Sequence, residues 1–408
     1  MPNPISGKNI VIGITGSIAA YKAADLASKL TQNGARVNAI LTEASLNFIS
    51  PLTIQSVTGE RAFTDADLWG TDGHIIHVNI GHTTDLLVIA PASANTIAKL
   101  ANGIADNLLS VTCLAANCPI IIAPAMDAGM YNHPATQKNI RILKERGVIF
   151  IGPAEGHLAS GLTGLGRFEE PASIIQEIRY IFSQSGPLSG KKIVVTAGGT
   201  REAFDPVRFL SNHSTGKQGY ALAQAALDFG ANVVLVSAPT AITPPKGAET
   251  IWIESAEEMR NAVVEQISDA NALIMAAAVA DFKPGKVNSE KIKKNSDVSK
   301  ISLTPTTDIL KEVSEIKKAK KLDLKVVGFA AESQDLKSNA QKKMLDKNMD
   351  MIVANNILDK DAGFGVDTNR VLLMYSDGST EKLPLMKKSE VAEKIVQHLI
   401  SWLVEGAG

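Results

Sequence analysis

The sequence predicts an α/β chain built as two tandem, doubly wound domains. Three observations predict it. The same opening occurs twice, a β-branched strand, a glycine turn, a helix and a second strand: once from Ile10-Val11-Ile12-Gly13-Ile14-Thr15-Gly16 and again from Ile193-Val194-Val195-Thr196-Ala197-Gly198-Gly199. Runs such as Asp85-Leu86-Leu87-Val88-Ile89-Ala90-Pro91 are continuously apolar, as strands buried on both faces require. Finally, 408 residues exceed what one core ordinarily organises.

The elements follow in order. Residues 17–30 have a helical pattern, stopped by Asn33-Gly34. Residues 36–41 form the next strand, with Thr42-Glu43 at its end. The runs 85–91 and 119–124 each end in a small residue and a proline. A turn therefore opens at the carboxyl end of each strand, where ligands of such sheets collect. The polar stretch Ser183-Gln184-Ser185-Gly186-Pro187-Leu188-Ser189 reads as a linker, dividing the chain into residues 1–187 and 188–408. The second domain carries an insertion between its glycine turn and helix 220–229, then strand 233–236. Residues 272–282 read as one buried strand, and the Lys-rich 283–300 as a mobile surface loop. Strands are expected at 325–332 and 350–356, with a hairpin around Asp377-Gly378. Residues 389–403 form an amphipathic closing helix whose Val391, Ile395, Leu399 and Trp402 face the core.

Composition narrows the class. The chain is 45% hydrophobic but only 5% aromatic, and its net charge of -1 gives no support for nucleic-acid or membrane-surface binding. Residues 1–8 contain no apolar signal segment. The apolar region 85–126 is interrupted by Pro91, Asn95, Lys99, Asn102 and Asp106, so no stretch reaches the ~20 residues that span a bilayer. Cys113 and Cys118 read as buried thiols of a cytoplasmic protein.

Several stretches can carry chemistry. Gly13-Ile14-Thr15-Gly16-Ser17-Ile18-Ala19 lacks the G-x-G-x-x-G spacing, so it is either a plain turn or a phosphate corner with Ser17 at the helix start. Ala92-Ser93-Ala94-Asn95-Thr96 adds hydroxyls and an amide at a second strand end. Two such corners suit a mononucleotide with a polar ring edge, such as a flavin. His74, His77 and His82 invite a metal reading, but no carboxylate or Cys completes a ligand set. His77 is then a helical surface histidine or a general acid/base. Ser214-Thr215-Gly216-Lys217-Gln218-Gly219 lacks the leading glycine and trailing Ser/Thr of a Walker A loop. Arg208 and Asn212 suit a carboxylate or phosphate, or turn hydrogen bonds. Glu290-Lys291-Ile292-Lys293-Lys294 is a solvated charge run, or a cation on a lid that neutralises charge in phosphoryl or nucleotidyl transfer. Lys343 and Lys347 share one helical face, toward solvent or a triphosphate. Asp281 could hold Mg²⁺ through one oxygen while phosphates supply others.

Taken together and in this order, the motifs resemble a known family: the coenzyme A biosynthesis flavoproteins in which phosphopantothenoylcysteine decarboxylase is fused to phosphopantothenate–cysteine ligase. The pieces carrying the resemblance are Gly16-Ser17-Ile18-Ala19-Ala20, His77, Pro91-Ala92-Ser93-Ala94-Asn95-Thr96 and Pro124-Ala125-Met126 in the first half. In the second they are Thr200-Arg201-Glu202, Asp205-Pro206-Val207-Arg208, Ser211-Asn212-His213-Ser214-Thr215-Gly216-Lys217, Ala277-Ala278-Val279-Ala280-Asp281, Glu290-Lys291-Ile292-Lys293-Lys294 and Gly328-Phe329-Ala330-Ala331-Glu332.

The resemblance implies a flavodoxin-like, FMN-binding first domain and a CTP-dependent ligase second domain, both Rossmann-like. It implies FMN contacts at Gly16, Ser17, Ile18, Thr42, Ser93, Ala94, Asn95, Thr96 and Met126, with His77 essential and Asp127 and Ser160 at the decarboxylation site. It implies CTP contacts at Met275, Ala276, Ala277, Asp281, Lys291, Thr307, Asp308, Ile309, Leu310, Phe329, Lys343 and Lys347. Lys291 would assist activation, Arg208 and Asn212 would hold substrate, and Asp281 would bind Mg²⁺. The substrates would be 4′-phosphopantothenate, cysteine and CTP. The assembly would be a dodecamer of flavin-domain trimers and ligase-domain dimers. Two positions depart from the family pattern. Its Pro-Ala-Met-Asn reads Pro124-Ala125-Met126-Asp127, and its Ala-Cys-Gly flap reads Ala159-Ser160-Gly161. Asp127 facing a substrate carboxylate should have a raised pKa or hold the substrate through a cation. Ser160 is a weaker acid than the thiol that helps protonate the product.

Two rival classes remain. One is a ligase whose flavin-binding first domain has lost its chemistry. The other is a two-domain nicotinamide oxidoreductase, which wants an acid at the end of the second strand. Glu43 suits it, but the second domain has Ser237-Ala238-Pro239 there.

Overall fold

The computed structural model describes residues 3–69, 75–292, 301–332, 336–356, 361, 363 and 365–404. His74, Lys293 and Lys294 lie outside them, as does the side chain of Glu332. The chain divides into two compact units, Met1–Phe182 and Ser183–Gly408. The expected linker belongs wholly to the second unit and is not free. Leu188 is fully buried, and its N–H donates to the Phe229 carbonyl at 2.8 Å.

The first unit holds β1 (Asn9–Ile14), β2 (Arg36–Leu41), β3 (Ala62–Thr64), β4 (Leu86–Ala92), β5 (Ile120–Pro124) and β6 (Ile149–Phe150). Their order is β3-β2-β1-β4-β5-β6, all parallel. This is the dinucleotide-fold order; flavodoxin's is 2-1-3-4-5. The difference arises because β3 pairs outside β2. The chain then returns through helix Ile76–Thr83 to place β4 on the far side of β1. Alternation along β1 feeds two cores. Ile10, Ile12 and Ile14 pack with Leu26, Leu30, Ile174 and Ile178, while Val11 packs with Ile97, Leu100 and Leu109 on the other face. The expected helix from residue 17 begins as a 3-10 turn, Ile18–Ala20, and continues as Tyr21–Gln32. A hairpin of β7 (Ala154–His157) and β8 (Thr163–Arg167) stands outside the sheet. Both cysteines are free, and burial pushes the Cys113 thiol up to about 12.

The second unit repeats the scheme. Its main strands are β9 (Lys192–Ala197), β12 (Asn232–Ser237), β13 (Glu249–Trp252), β14 (Ala272–Met275), β17 (Lys325–Glu332), β18 (Met351–Asn356), β20 (Val371–Tyr375) and β21 (Thr380–Lys382). Three small two-stranded sheets flank them: β10 (Arg201–Ala203) with β11 (Phe209–Ser211), β15 (Phe282–Pro284) with β16 (Leu303–Pro305), and β19 (Thr368–Asn369) with β22 (Met386–Lys387). The main order is β13-β12-β9-β14-β17-β18-β20-β21. It is parallel through β18, and the expected hairpin adds two antiparallel strands.

The single strand expected at 272–282 is corrected here. β14 ends at Met275, and residues 276–281 form a loop across neighbouring strand ends. The N–H groups of Ala277 and Ala280 donate to the hydroxyls of Thr196 and Thr200 at 3.0 and 2.9 Å, and that of Ala278 donates to the Gly198 carbonyl at 2.8 Å. Threonine hydroxyls thus satisfy the backbone that a ladder would otherwise bind. The expected loop at 283–300 begins as part of β15. The closing helix Lys388–Leu403 buries Val391, Ile395 and Leu399 completely, and Trp402 packs at their edge.

Helix Lys217–Asp228 lies unusually close to β9. A Cβ on Gly219 would stand 2.6 Å from the Ala197 Cβ and 2.8 Å from the Thr196 carbonyl oxygen. Backbone cannot yield as a flexible side chain can, so Gly219→Val should lower stability by about 1–3 kcal/mol through overpacking. Denaturant unfolding of the full chain checks this, and an unshifted transition would contradict it.

Candidate functional site

In each unit the strand order reverses beside the first strand. The crevice of such a sheet lies at the carboxyl ends of the strands flanking that reversal. In the second unit these are β9 and β14, and a cavity of about 590 Å³ opens there. Gly216, in the left-handed region at φ 80, starts helix Lys217–Asp228 without a side-chain cap, so the helix N-terminus opens on the cavity. Asn212 lines the same wall and donates to the Ala278 carbonyl at 3.0 Å. Met275, Ala276, Ala277 and Asp281 line it from the loop after β14. Thr307, Asp308, Ile309 and Leu310 approach from the start of helix Ile309–Lys320, and Phe329 from β17. Lys343 and Lys347 close the far side, with Lys347 paired to Asp308 at 2.9 Å.

Two expected residues stand outside this cavity. Arg208 is bound to buried Asp205, its Nε donating at 2.9 Å, and also donates to the Ile292 carbonyl at 2.9 Å. Asp205 further accepts the N–H groups of Val207, Arg208 and Ile292. The Arg208 guanidinium and these N–H groups hold its carboxyl far below the usual carboxylate range. Arg208 therefore makes turn hydrogen bonds in this state. Lys291 is exposed beside the anchored Ile292 and does not line the cavity. Lining residues that sequence reasoning did not single out include Thr306, Gly363, Asn355, Asn369 and Lys388. The last two reach the cavity from the far end of the chain, and no local motif marks them.

In the first unit, β1 and β4 flank the reversal. Thr15 bridges them: its hydroxyl donates to the Pro91 carbonyl at 2.7 Å and accepts the Ser93 N–H at 2.8 Å. Ser93 then caps helix Ala94–Asn102, accepting from the Thr96 N–H at 3.3 Å. Asn95 is exposed in the first turn of that helix. Thr42 is buried, its N–H and hydroxyl both on the Ile14 carbonyl, at 3.0 and 3.3 Å. Gly16 admits no side chain, because a Cβ there would lie 2.7 Å from that of Ala44.

A cavity of about 430 Å³ lies between the β1 exit and the β7–β8 hairpin. Ser17, Ile18, Met126, Asp127 and Ser160 line it; Gly16, Thr42 and residues 93–96 stand at the strand ends outside its wall. Ser160, at the hairpin tip, donates to Asp127 Oδ2 at 2.7 Å. Asp127 also caps its own helix, accepting the Gly129 N–H at 2.9 Å. In the protein without substrate the Ser160 hydroxyl, then the Gly129 N–H, hold the Asp127 carboxyl below its ordinary value, and the expected raised pKa or bridging cation belongs to the substrate-bound state. His77 lines neither cavity. It is half-buried on helix Ile76–Thr83 rather than on the surface, and its buried Nδ1 has no hydrogen-bond partner among the described residues. Among the described residues no three His, Cys, Asp or Glu side chains converge as a metal site, and no helix is long and apolar enough to cross a membrane.

The chain matches two family models, a flavoprotein model over residues 2–183 and the C-terminal domain of DNA/pantothenate metabolism flavoproteins over 188–403. It is 47% identical to the coenzyme A biosynthesis bifunctional protein CoaBC of Bacillus subtilis strain 168 over 398 residues, covering 97% of each chain. The chain belongs to the bifunctional coenzyme A biosynthesis family. It is thus a flavoprotein and an enzyme that joins a decarboxylase to a ligase. A cysteine/cysteine sulfinic acid decarboxylase from an unknown prokaryotic organism is also similar, 44% identical over 86% of this chain and 99% of its own. Among solved structures, the crystal structure of the C-terminal domain of a bifunctional CoaBC protein is 40% identical. It covers 54% of this chain and 100% of its own, with a TM-score of 0.46.

The Asp127–Ser160 bond gives a direct pH test. Removing the hydroxyl in Ser160→Ala should raise the Asp127 carboxyl toward its ordinary value. The bond favours the ionised form, so its contribution to stability is present above the ordinary carboxyl value and is lost as pH falls through the depressed one. Carboxyl-carbon NMR titration reads the shift, and an unmoved Asp127 midpoint would contradict it.

Proposed function

We propose that the second unit activates 4′-phosphopantothenate with CTP and couples it to cysteine, and that the first unit decarboxylates the product with FMN to give 4′-phosphopantetheine. The observation that carries the ligase reading is the convergence of Asn212, residues 275–277, Asp281, residues 307–310, Phe329, Lys343 and Lys347 on one cavity. In this reading a carboxylate oxygen of phosphopantothenate attacks the α-phosphorus of CTP and pyrophosphate leaves. The cysteine amine then attacks the acyl carbon and CMP leaves. Phe329 supplies a flat apolar surface for the base, and Lys343 and Lys347 supply cations for phosphates. Asn212 donates to the acyl-cytidylate where it now donates to Ala278. A lone carboxylate, Asp281, suits Mg²⁺ whose other oxygens come from phosphates. The Asp205–Arg208 network anchors the backbone beside Lys291. From there the lysine can reach the transferring phosphate when substrates are bound.

The first unit's residues fit FMN. Gly16 leaves backbone bare at the β1 exit, the Ser93 and Thr96 hydroxyls meet at 3.2 Å past the end of β4, and Ser17 and Met126 border a cavity of about 430 Å³. The flavin, when bound, supplies oxidation of the cysteinyl thiol and return of hydride after carbon dioxide is lost. Ser160 and Asp127 close the flap over that space, and His77, outside this cavity with a buried, unpartnered Nδ1, is assigned positioning or proton transfer by the family resemblance. The reading extends to a cytoplasmic homo-oligomer of trimeric flavin units and dimeric ligase units. Support for the dimer comes from exposed Val207, Phe209, Leu210, Phe282 and Leu303, carried on or beside the adjacent β10–β11 and β15–β16 sheets.

Asn212→Asp places a negative charge beside anionic substrate and should cut CTP-dependent ligation by about two orders of magnitude; Lys291→Gln should do the same with little change in stability. Coupled CMP release by the full chain measures both. Wild-type rates in both variants would remove these residues from the mechanism. For the first unit, His77→Asn should abolish carbon dioxide release while flavin stays bound. An inactive wild type that gains activity in Asp127→Asn with Ser160→Cys would instead make the unit a flavin-binding scaffold.

A further inference from the structure

The product of the first unit's reaction needs a proton on carbon, and the flap that would give one carries no thiol, since Ala159-Ser160-Gly161 stands at the hairpin tip. The same hairpin offers another donor. His157 ends β7 opposite Thr163 of β8, and both His157 and Ser160 line the first-unit cavity. The turn between the strands is fixed. The Leu158 N–H donates to the Leu162 carbonyl at 2.8 Å, and the Gly161 N–H donates to the Leu158 carbonyl at 2.9 Å. Gly161 takes the left-handed region at φ 82, where glycine is at home, and Leu158 is buried. His157 and Ser160 therefore hold their places on the wall together.

The other polar side chains of that wall are committed elsewhere or unsuited. Ser160 gives its proton to a bond with Asp127. That bond, then the Gly129 N–H, holds the Asp127 carboxyl below its ordinary value, so it brings no proton at neutral pH. Lys22 and Arg167 both donate to Glu170, and Tyr21 is 62% exposed. Neither cysteine lines the cavity, nor does His77. Among the described residues, no side-chain hydrogen bond or ion pair engages the His157 ring, and the residue is exposed, so the ring can exchange its proton with solvent. Imidazole is the side chain whose unperturbed titration falls between pH 5 and 8, and a general acid works best when it titrates near the working pH.

We propose that His157 is the acid that protonates the carbon from which carbon dioxide leaves. This rests on the decarboxylase reading of the first unit. Loss of carbon dioxide breaks a carbon–carbon bond and leaves its electron pair in an enethiolate. That pair forms a C–H bond with the ring proton, the ring N–H breaks, and imidazolium becomes neutral imidazole. The resulting thioaldehyde accepts the returned hydride and becomes the thiolate of 4′-phosphopantetheine. Solvent then protonates the thiolate and the exposed ring. Without the ring proton, the enethiolate takes a proton from water on sulfur and leaves as the enethiol, with no hydride returned.

The test follows one anaerobic turnover of 4′-phosphopantothenoylcysteine by the FMN-loaded full chain, with products identified by mass and the flavin by absorbance. Wild type should give 4′-phosphopantetheine and end with oxidised flavin. His157→Gln should release carbon dioxide but lower the ratio of phosphopantetheine to enethiol roughly a hundredfold or more, leaving the flavin reduced. Adding Ser160→Cys to His157→Gln should restore phosphopantetheine. Flavin binding checks the fold of each variant, and His157→Asn repeats the measurement with a second side chain. A readout without turnover is NMR of the His157 ring, whose resonances should shift when 4′-phosphopantetheine is added. An unchanged product ratio in both His157 variants, an unmoved ring, or a wild type that itself releases the enethiol would overturn the assignment while leaving the decarboxylase reading in place. Flavin-bound His157→Gln that releases no carbon dioxide would also overturn it, by placing the ring before protonation. A flavin-bound wild type that releases no carbon dioxide would overturn both.

Discussion

Each unit depends on keeping a strand-end crevice open without leaving backbone groups unpaired. A parallel strand that stops at its carboxyl end abandons N–H and C=O groups that neither ladder nor solvent fully serves. The chain solves this twice with a buried threonine at the end of its first strand. Thr15 spans from β1 to the Pro91–Ser93 exit of β4, and Thr196 in β9 takes the Ala277 N–H from the exit of β14. Thr200 and Asn212 extend the second case to Ala280 and Ala278. The loops that line the proposed sites are thus held by hydroxyls and an amide. A valine of the same shape would leave a buried donor unsatisfied, at a cost of about 1–3 kcal/mol.

Much of this was legible from residue pattern. The glycine turns, the continuous apolar runs and the closing helix all rest on local periodicity, and local periodicity survives folding. What was not legible came from distance. β3 and β6 are too short to show a period, so the strand order could not be read. The stretch 272–282 looked like a single strand because alanines are apolar; they line a cavity, where small size matters more than hydrophobicity. Lys388 and Asn369 reach their cavity only through topology. Arg208 shows the converse: a motif arginine with the right chemistry for substrate is committed to Asp205.

The departures at Asp127 and Ser160 make physical sense as a pair. An asparagine amide and a cysteine thiol would form a weaker contact than a serine hydroxyl on an ionised carboxylate, since charge-assisted bonds are the stronger kind. The pair therefore fastens the hairpin tip to the exit of β5 in the protein alone. It also removes a readily available acid from the flap. In the proposed decarboxylation the product's proton would then come from water or another donor, and moving the hairpin tip would break a charged hydrogen bond.

The central claim is that one chain carries out both steps at two separate sites. The most direct measurement supplies the purified full-length protein with 4′-phosphopantothenate, CTP, Mg²⁺ and cysteine and identifies the products by mass. The account predicts 4′-phosphopantetheine, with CMP and pyrophosphate released and carbon dioxide lost. Accumulation of the cysteinyl acid alone, or turnover that ignores CTP, would contradict it.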